Sequence, residues 1–295
     1  MSLAMVTVAK GEITVGMDLG SHEYEITPEL VAAYAGGLGD HHEWYTGASP
    51  FGGPVAPALI LHSEVYRFGR WYLPNIWGNL HAKQEWELFA PIMVGERVTT
   101  RATIVDRYVK RQRDYVVNEV QVFGSDGRLR KRGRTHQSFV LEVDEQSMAV
   151  DKDREKRADR RFETAAVAFE EEIAPLDKPV TIEMCKTFSP GVNYHNDAEE
   201  AKKLGFPDIV VQGMMPVCFV SEFMTRRFGE GWYAGGRMSI NLVNVLWGAD
   251  GGAVCRGAVR EYTVEGARRR AHCEIWAEKR DGTKIIVGTA SAVVP

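Results

Sequence analysis

The run Val192-Asn193-Tyr194-His195-Asn196-Asp197 sets an imidazole among amide and carboxylate side chains. Histidine ordinarily titrates near pH ~6.5, so His195 suits proton transfer close to neutrality. Seventeen positions later comes Gln212-Gly213-Met214, after a β-rich Ile209-Val210-Val211 and at the head of an apolar stretch, residues 214–228, that reads as a buried helix. The first N–H groups of a helix lack intrahelical partners and sit at the positive end of its dipole. Such a terminus suits an oxygen that gains negative charge during a reaction. A proton-transferring histidine and an amide-rich helix start together fit chemistry that passes through an enolate.

Each of these residues also has a plainer role open to it. His195 either handles a proton or packs in a polar loop. Asn193 either orients a water or a substrate oxygen, or is a turn asparagine. Asp197, directly before Ala198-Glu199-Glu200, is placed to cap a short helix. Gly213 either offers its amide or allows close helix–sheet packing, and the two are compatible. His41-His42-Glu43 invites a metal, but adjacent histidines point in different directions and no further ligand stands at motif spacing. No metal is therefore expected. His62 and His81 add no pattern that changes this.

The elements that must position these groups occur twice, at an offset of about 155 residues. Val55-Ala56-Pro57-Ala58 falls opposite Val211-Gln212-Gly213-Met214, and Asp126-Gly127 opposite Asp281-Gly282. In the first copy Thr27-Pro28-Glu29 reads as a helix start, with the helix stopping at Gly36-Gly37. A glycine-rich loop over 47–53 leads to helical spacing over 58–66. Strands follow over 97–105, 115–123 and 135–143, with a hairpin at Gly124-Ser125-Asp126-Gly127. The second copy has the 214–228 helix, then strands over 238–246, 253–264, 268–277 and 285–293, with a hairpin at 279–283. One helix followed by antiparallel strands is an α+β unit. The expected organisation is a first unit over 1–145, a charged linker over 146–172, and a second unit over 173–295.

Composition narrows the classes. A chain of 295 residues with 44% hydrophobic content supports two full cores. The net charge of -4, with acids interleaved among the bases of the linker, gives no nucleic-acid signature. No apolar run approaches the ~18 residues of a membrane span, so no membrane partner is expected. The start Met1-Ser2-Leu3-Ala4-Met5 lacks the basic and apolar regions of a secretory signal. Cys185, Cys218, Cys255 and Cys273 are widely spaced and sit largely among apolar residues, which suits buried thiols in a reduced, cytoplasmic protein.

The order His195-x-Asp197, a helix-like stretch, Gly205-Phe206, Ile209-Val210-Val211, then Gln212-Gly213-Met214 resembles the hydratase motif of the MaoC-like (R)-specific enoyl-CoA hydratases. Two fused copies resemble the double hot-dog members of that family, over roughly residues 20 to 295. The resemblance implies a double hot-dog with two antiparallel sheets, each wrapped around a central helix. It implies interconversion of a 2-enoyl-CoA and a 3-hydroxyacyl-CoA without a cofactor, with an acyl-CoA thioester as the partner. His195 would move the proton, Asn193 or Asp40 would hold the water, and Gln212, Gly213 and Met214 would receive the thioester oxygen. The family's aspartate, five residues before the histidine, is replaced here by Pro190, and Gln212 stands where many relatives have a histidine.

In the first half Gly39-Asp40 resembles the family's Gly-Asp, with Tyr45 in the histidine's place. Aromatics from Trp44 to Trp77 suggest either a widened acyl pocket or simple core. Basic clusters at 110–113, 128–132 and 268–270 offer guanidinium forks for CoA phosphates, one of them being enough. The Pro190 substitution keeps open a catalytically inactive acyl-CoA-binding subunit paired with an active partner. Hot-dog folds also host thioesterases. A homodimer, or a hetero-partner of the same fold, is compatible with either organisation.

Overall fold

A computed structural model describes residues 13–69, 71, 79–111, 113–140 and 169–294. Its frame is one antiparallel sheet of ten strands. In chain order these are β1 (Asp18–Glu25), β2 (Leu80–Leu88), β3 (Arg97–Lys110), β4 (Arg113–Gly124), β5 (Leu129–Val140), β6 (Glu171–Pro179), β7 (Arg237–Leu242), β8 (Gly252–Glu265), β9 (Arg268–Glu278) and β10 (Lys284–Val294). Across the sheet they run β1-β3-β4-β5-β2-β7-β10-β9-β8-β6. The order reads the same from either edge once each strand is replaced by its counterpart, so the internal repeat is a repeat of structure. The tight β4–β5, β8–β9 and β9–β10 hairpins follow from alternating burial along the strands and from turn glycines at positive φ, Gly127 at 74°, Gly266 at 62° and Gly282 at 87°.

Two separate sheets were expected; the strands form one. At the seam β2 pairs with β7 from Lys83↔Asn241 to Glu87↔Arg237. Each half alone would leave a row of unpaired N–H and C=O groups on this strand, and mutual pairing satisfies both rows.

The helices are α1 (Pro28–Leu38), α2 (Ile182–Phe188), α3 (Ala198–Lys203), α4 (Met214–Phe228) and α5 (Glu230–Tyr233). Thr27 caps α1, accepting from the Leu30 N–H at 3.2 Å. The helix runs through Gly36-Gly37 rather than stopping there. A Cβ on Gly37 would lie 3.3 Å from the Phe188 backbone nitrogen, so this glycine favours the close packing of α1 on α2. The helix ends instead at Gly39, in the left-handed conformation at φ 60°.

The sheet wraps one long central helix, α4, whose apolar face is buried in a core shared by both halves. The counterpart expected over 58–66 is not a helix. The chain there runs through turns to a single 3₁₀ turn, Glu64–Arg67, and Leu61 sits at φ 61°. The reason is visible beneath it. Lys131, 1% exposed, extends from β5 and donates to the carbonyls of Ala58 and Ile60. Those acceptors are taken by an ammonium instead of by a helical ladder, and Pro57 brings no N–H. A second, smaller core of Val65, Phe68, Trp71, Ile104 and Phe139 lies at this end. β6 begins inside the span read as a linker; residues 146–168 of that span lie outside the described residues.

Candidate active site

His195 follows a bend, and its position is set by its neighbours. Its backbone N–H donates to Asn193 Oδ1 at 2.9 Å, and its Nδ1 lies 2.7 Å from the Val210 carbonyl oxygen. A carbonyl only accepts, so Nδ1 carries the proton and Nε2 the lone pair. No described residue bonds Nε2. Burial lowers the imidazole pKa to about 4, against a smaller opposing effect of the Val210 carbonyl. The ring is therefore neutral at physiological pH, and no carboxylate is among the groups acting on it.

The loop beneath it is held by two asparagines. Asn193 donates to the Gly191 carbonyl at 2.9 Å and the Ser189 carbonyl at 3.4 Å. Asn196, 7% exposed, donates to the same two carbonyls and accepts from the Asn193 N–H. Asn193 thus spends its amide on the loop that carries His195. Asp197 caps α3, accepting from Glu199 and Glu200 N–H at 2.9 and 3.0 Å.

Val210 forms a β-bridge with Trp247 and leads through Gln212 to the first turn of α4. Met215 N–H donates to the Gln212 carbonyl at 2.8 Å. Among the described residues no backbone carbonyl accepts from the N–H of Gly213 or Met214. Space at 213 is tight: a Cβ would lie 3.0 Å from Leu242 Cδ2 and 3.3 Å from His81 Nδ1. Gln212 Oε1 and His81 Nδ1 are both buried without a partner among the described residues. Nothing in the local spacing singles out His81. It sits on a strand of the other half, and only the β2–β7 seam brings it to α4.

Asp40 belongs to a different place. It is 4% exposed and accepts from the Tyr45 hydroxyl at 2.6 Å. Around it stand Glu222 of α4 and Lys178 of β6, themselves paired at 2.6 Å, and Arg226, which also bonds Glu222. Burial and the Glu222 charge raise the Asp40 pKa to about 6, opposed by Tyr45, Lys178 and Arg226. Residues 214 and 222 are about 12 Å apart along a helix. No contact brings Asp40 to His195.

The remaining candidates are mostly occupied. Arg130 pairs with Glu96 and Asp126, Arg132 with Glu87, Arg113 with Ser138, and Arg270 with Glu265. Phe68 and Trp71 are core; Tyr72 and Trp77 lie outside the described residues. All four cysteines are free and buried, and burial pushes the Cys218 thiol up to about 12. Among the described residues no group of three or more His, Cys, Asp or Glu is placed to hold a metal, and no helix is long and apolar enough to cross a membrane. A groove of about 850 Å³ is lined by Arg132, Arg237, Ser239, Glu274 and Thr289. Of the candidate residues only Arg132 lines it; His195, Asn193, Asp40 and the 212–214 segment do not.

Comparison with known proteins places this arrangement. Residues 13–129 match the family model for the FAS1-like dehydratase domain region. The chain superposes on a structure described as a MaoC-like dehydratase with a TM-score of 0.69 at 16% identity, over 96% of this chain and 98% of that one. The chain has the fold of MaoC-like hot-dog proteins, and its first half matches the dehydratase-region model. Two further MaoC-like structures agree. The MaoC-like dehydratase of Phytophthora capsici gives a TM-score of 0.68 at 14% identity, covering 98% and 99% of the two chains. A putative MaoC domain dehydratase from Chloroflexus aurantiacus gives 0.70 at 8% identity, covering 100% and 99%. No curated protein sequence matches the chain. Pro190 stands five residues before His195, the same spacing that separates Asp40 from Tyr45 in the first half.

Proposed function

We propose that this chain is a hydratase or dehydratase of the MaoC-like kind, acting on a 2-enoyl-CoA and its 3-hydroxyacyl-CoA at the start of α4. The observation that carries the reading is the fixed tautomer of His195. Its Nδ1–H is held by Val210, which leaves a lone pair on Nε2, three residues from the glycine that opens the buried helix. The reaction balances with one proton-handling group. Nε2 takes a proton from water as the water oxygen bonds C3. Charge passes to the thioester oxygen, where helix-start N–H groups stabilise it. The same proton then returns to C2, and the imidazole ends neutral. Asn193 acts by shaping the loop. Asp40 stands apart, with Tyr45, Glu222 and Lys178 around it.

One observation favours a second reading, an inactive acyl-CoA-binding subunit. Proline at 190 neither gives nor takes a proton, and no carboxylate acts on His195. Incubation of the purified chain with crotonyl-CoA and with a bulkier enoyl-CoA, followed by loss of enoyl absorbance, separates the two. Turnover supports the hydratase. Ester binding with no turnover supports the inactive subunit. Absence of both ends the acyl-CoA reading.

A further inference from the structure

The first half contributes one more polar group to the head of α4. His81 lies at the β2 bulge, where pairing with β5 shifts register between His81 and Lys83. Its Nε2 is 3.0 Å from Gln84 Oε1. That oxygen also accepts from Thr135 Oγ1 at 2.9 Å, while Gln84 Nε2 donates to the Glu85 carbonyl at 3.1 Å. The bond to Glu85 identifies which end of the amide is nitrogen, so the atom facing His81 is an acceptor. The proton of His81 is therefore on Nε2 and the lone pair on Nδ1. Nδ1 is buried and unpartnered among the described residues, and it faces the backbone at Gly213. Burial lowers the imidazole pKa to about 4, which keeps this lone pair available at neutral pH.

A sealed acceptor without a donor is costly, and here it stands beside a helix terminus that itself offers only donors. His195 anchors to Val210, and His81 abuts Gly213. The two positions are at most about 10 Å apart along the chain. An enoyl or saturated acyl chain has no hydrogen to give at C3, whereas the hydrated chain has a hydroxyl. We propose that His81 Nδ1 accepts the hydrogen bond of the hydroxyl carried at C3 of the bound thioester, or of the water that becomes it. His81 then determines specificity for the hydrated form, and it replaces, from the other half of the chain, part of what the missing aspartate would do. This rests on the acyl-CoA reading above.

The test is calorimetric binding of 3-hydroxybutyryl-CoA and of butyryl-CoA, which differ by that hydroxyl alone, to the whole chain. Wild type is expected to prefer the hydroxy ester roughly tenfold. His81→Leu should abolish the preference while leaving butyryl-CoA affinity unchanged. His81→Asn, whose side-chain oxygen can stand near the position of Nδ1, should restore most of it. Equal binding of the two esters by wild type overturns the proposal and leaves the acyl-CoA reading standing. Equal weakening of both esters in His81→Leu also overturns it, because that marks a structural role. If neither ester binds, the acyl-CoA reading falls and takes the proposal with it. Should both variants fail to fold, the wild-type ratio alone decides.

Discussion

The Tyr45 hydroxyl donates to Asp40 Oδ2 at 2.6 Å, five residues away, while His195 has proline at the same spacing and makes no such pair. The two halves thus differ at these positions. One keeps the carboxylate with a phenol for company, and the other keeps the imidazole.

Asp40 carries a pH signature. Its folded pKa is raised, from an ordinary value of 3.8 to about 6. A raised acid contributes stability that is fully present below the unfolded pKa and is lost as pH rises through the folded one. Above about pH 6 the buried charge is a burden, with Glu222 repelling it and Lys178 and Arg226 only partly offsetting this. Asp40→Asn should therefore stabilise the protein by roughly 1–3 kcal/mol at about pH 8, with the gain vanishing near pH ~4. Denaturant melts at the two pH values check it; a gain independent of pH refutes it.

Pro190 is exposed in the bend that leads to His195. Pro190→Asp should place a carboxylate at the family's spacing and raise hydration of crotonyl-CoA, by about tenfold or more if the carboxylate shares the proton work. An unchanged rate in a folded variant would show that the slot does not face the reacting water.

His195 should titrate low. With a pKa of about 4, the base form persists through the neutral range. Hydration should stay level from about pH 8 to about pH 5 and fall only below that. His195→Ala should cost roughly a hundredfold. The pH profile, together with an NMR titration of the imidazole, decides the point; a midpoint near 6.5 would contradict the buried, singly bonded ring.

Lys131→Met should destabilise the first half. It removes the donor to the carbonyls of Ala58 and Ile60, and an orphaned buried acceptor costs about 1–3 kcal/mol. Relief of a buried cation offsets part of this. A lowered melting temperature with faster amide exchange over 58–67 is the expected result, and unchanged exchange would mean that other bonds hold the segment.

Much of this was legible in the sequence. The repeat, the hairpins, the Thr27 and Asp197 caps and the buried helix over 214–228 all rest on local periodicity and turn chemistry, and they stand where the spacing put them. The helix over 58–66 was misread because its disruptor, Lys131, lies on a strand about seventy positions away, and local spacing carries no trace of it. The single sheet was missed for a similar reason. The spacing marks no strand over 80–88, and the pairing of β2 with β7 is a tertiary fact. His81 escaped notice because a lone histidine on a strand has no signature until the seam sets it against Gly213.

That seam also decides how the chain could be taken apart. Cutting it between β5 and β6 would strip β2 and β7 of their partners and bare an adhesive border on each fragment. Such fragments should stick to one another, or to copies of themselves, before either behaves as an independent body, so evolution or engineering would have to shed or replace both halves together.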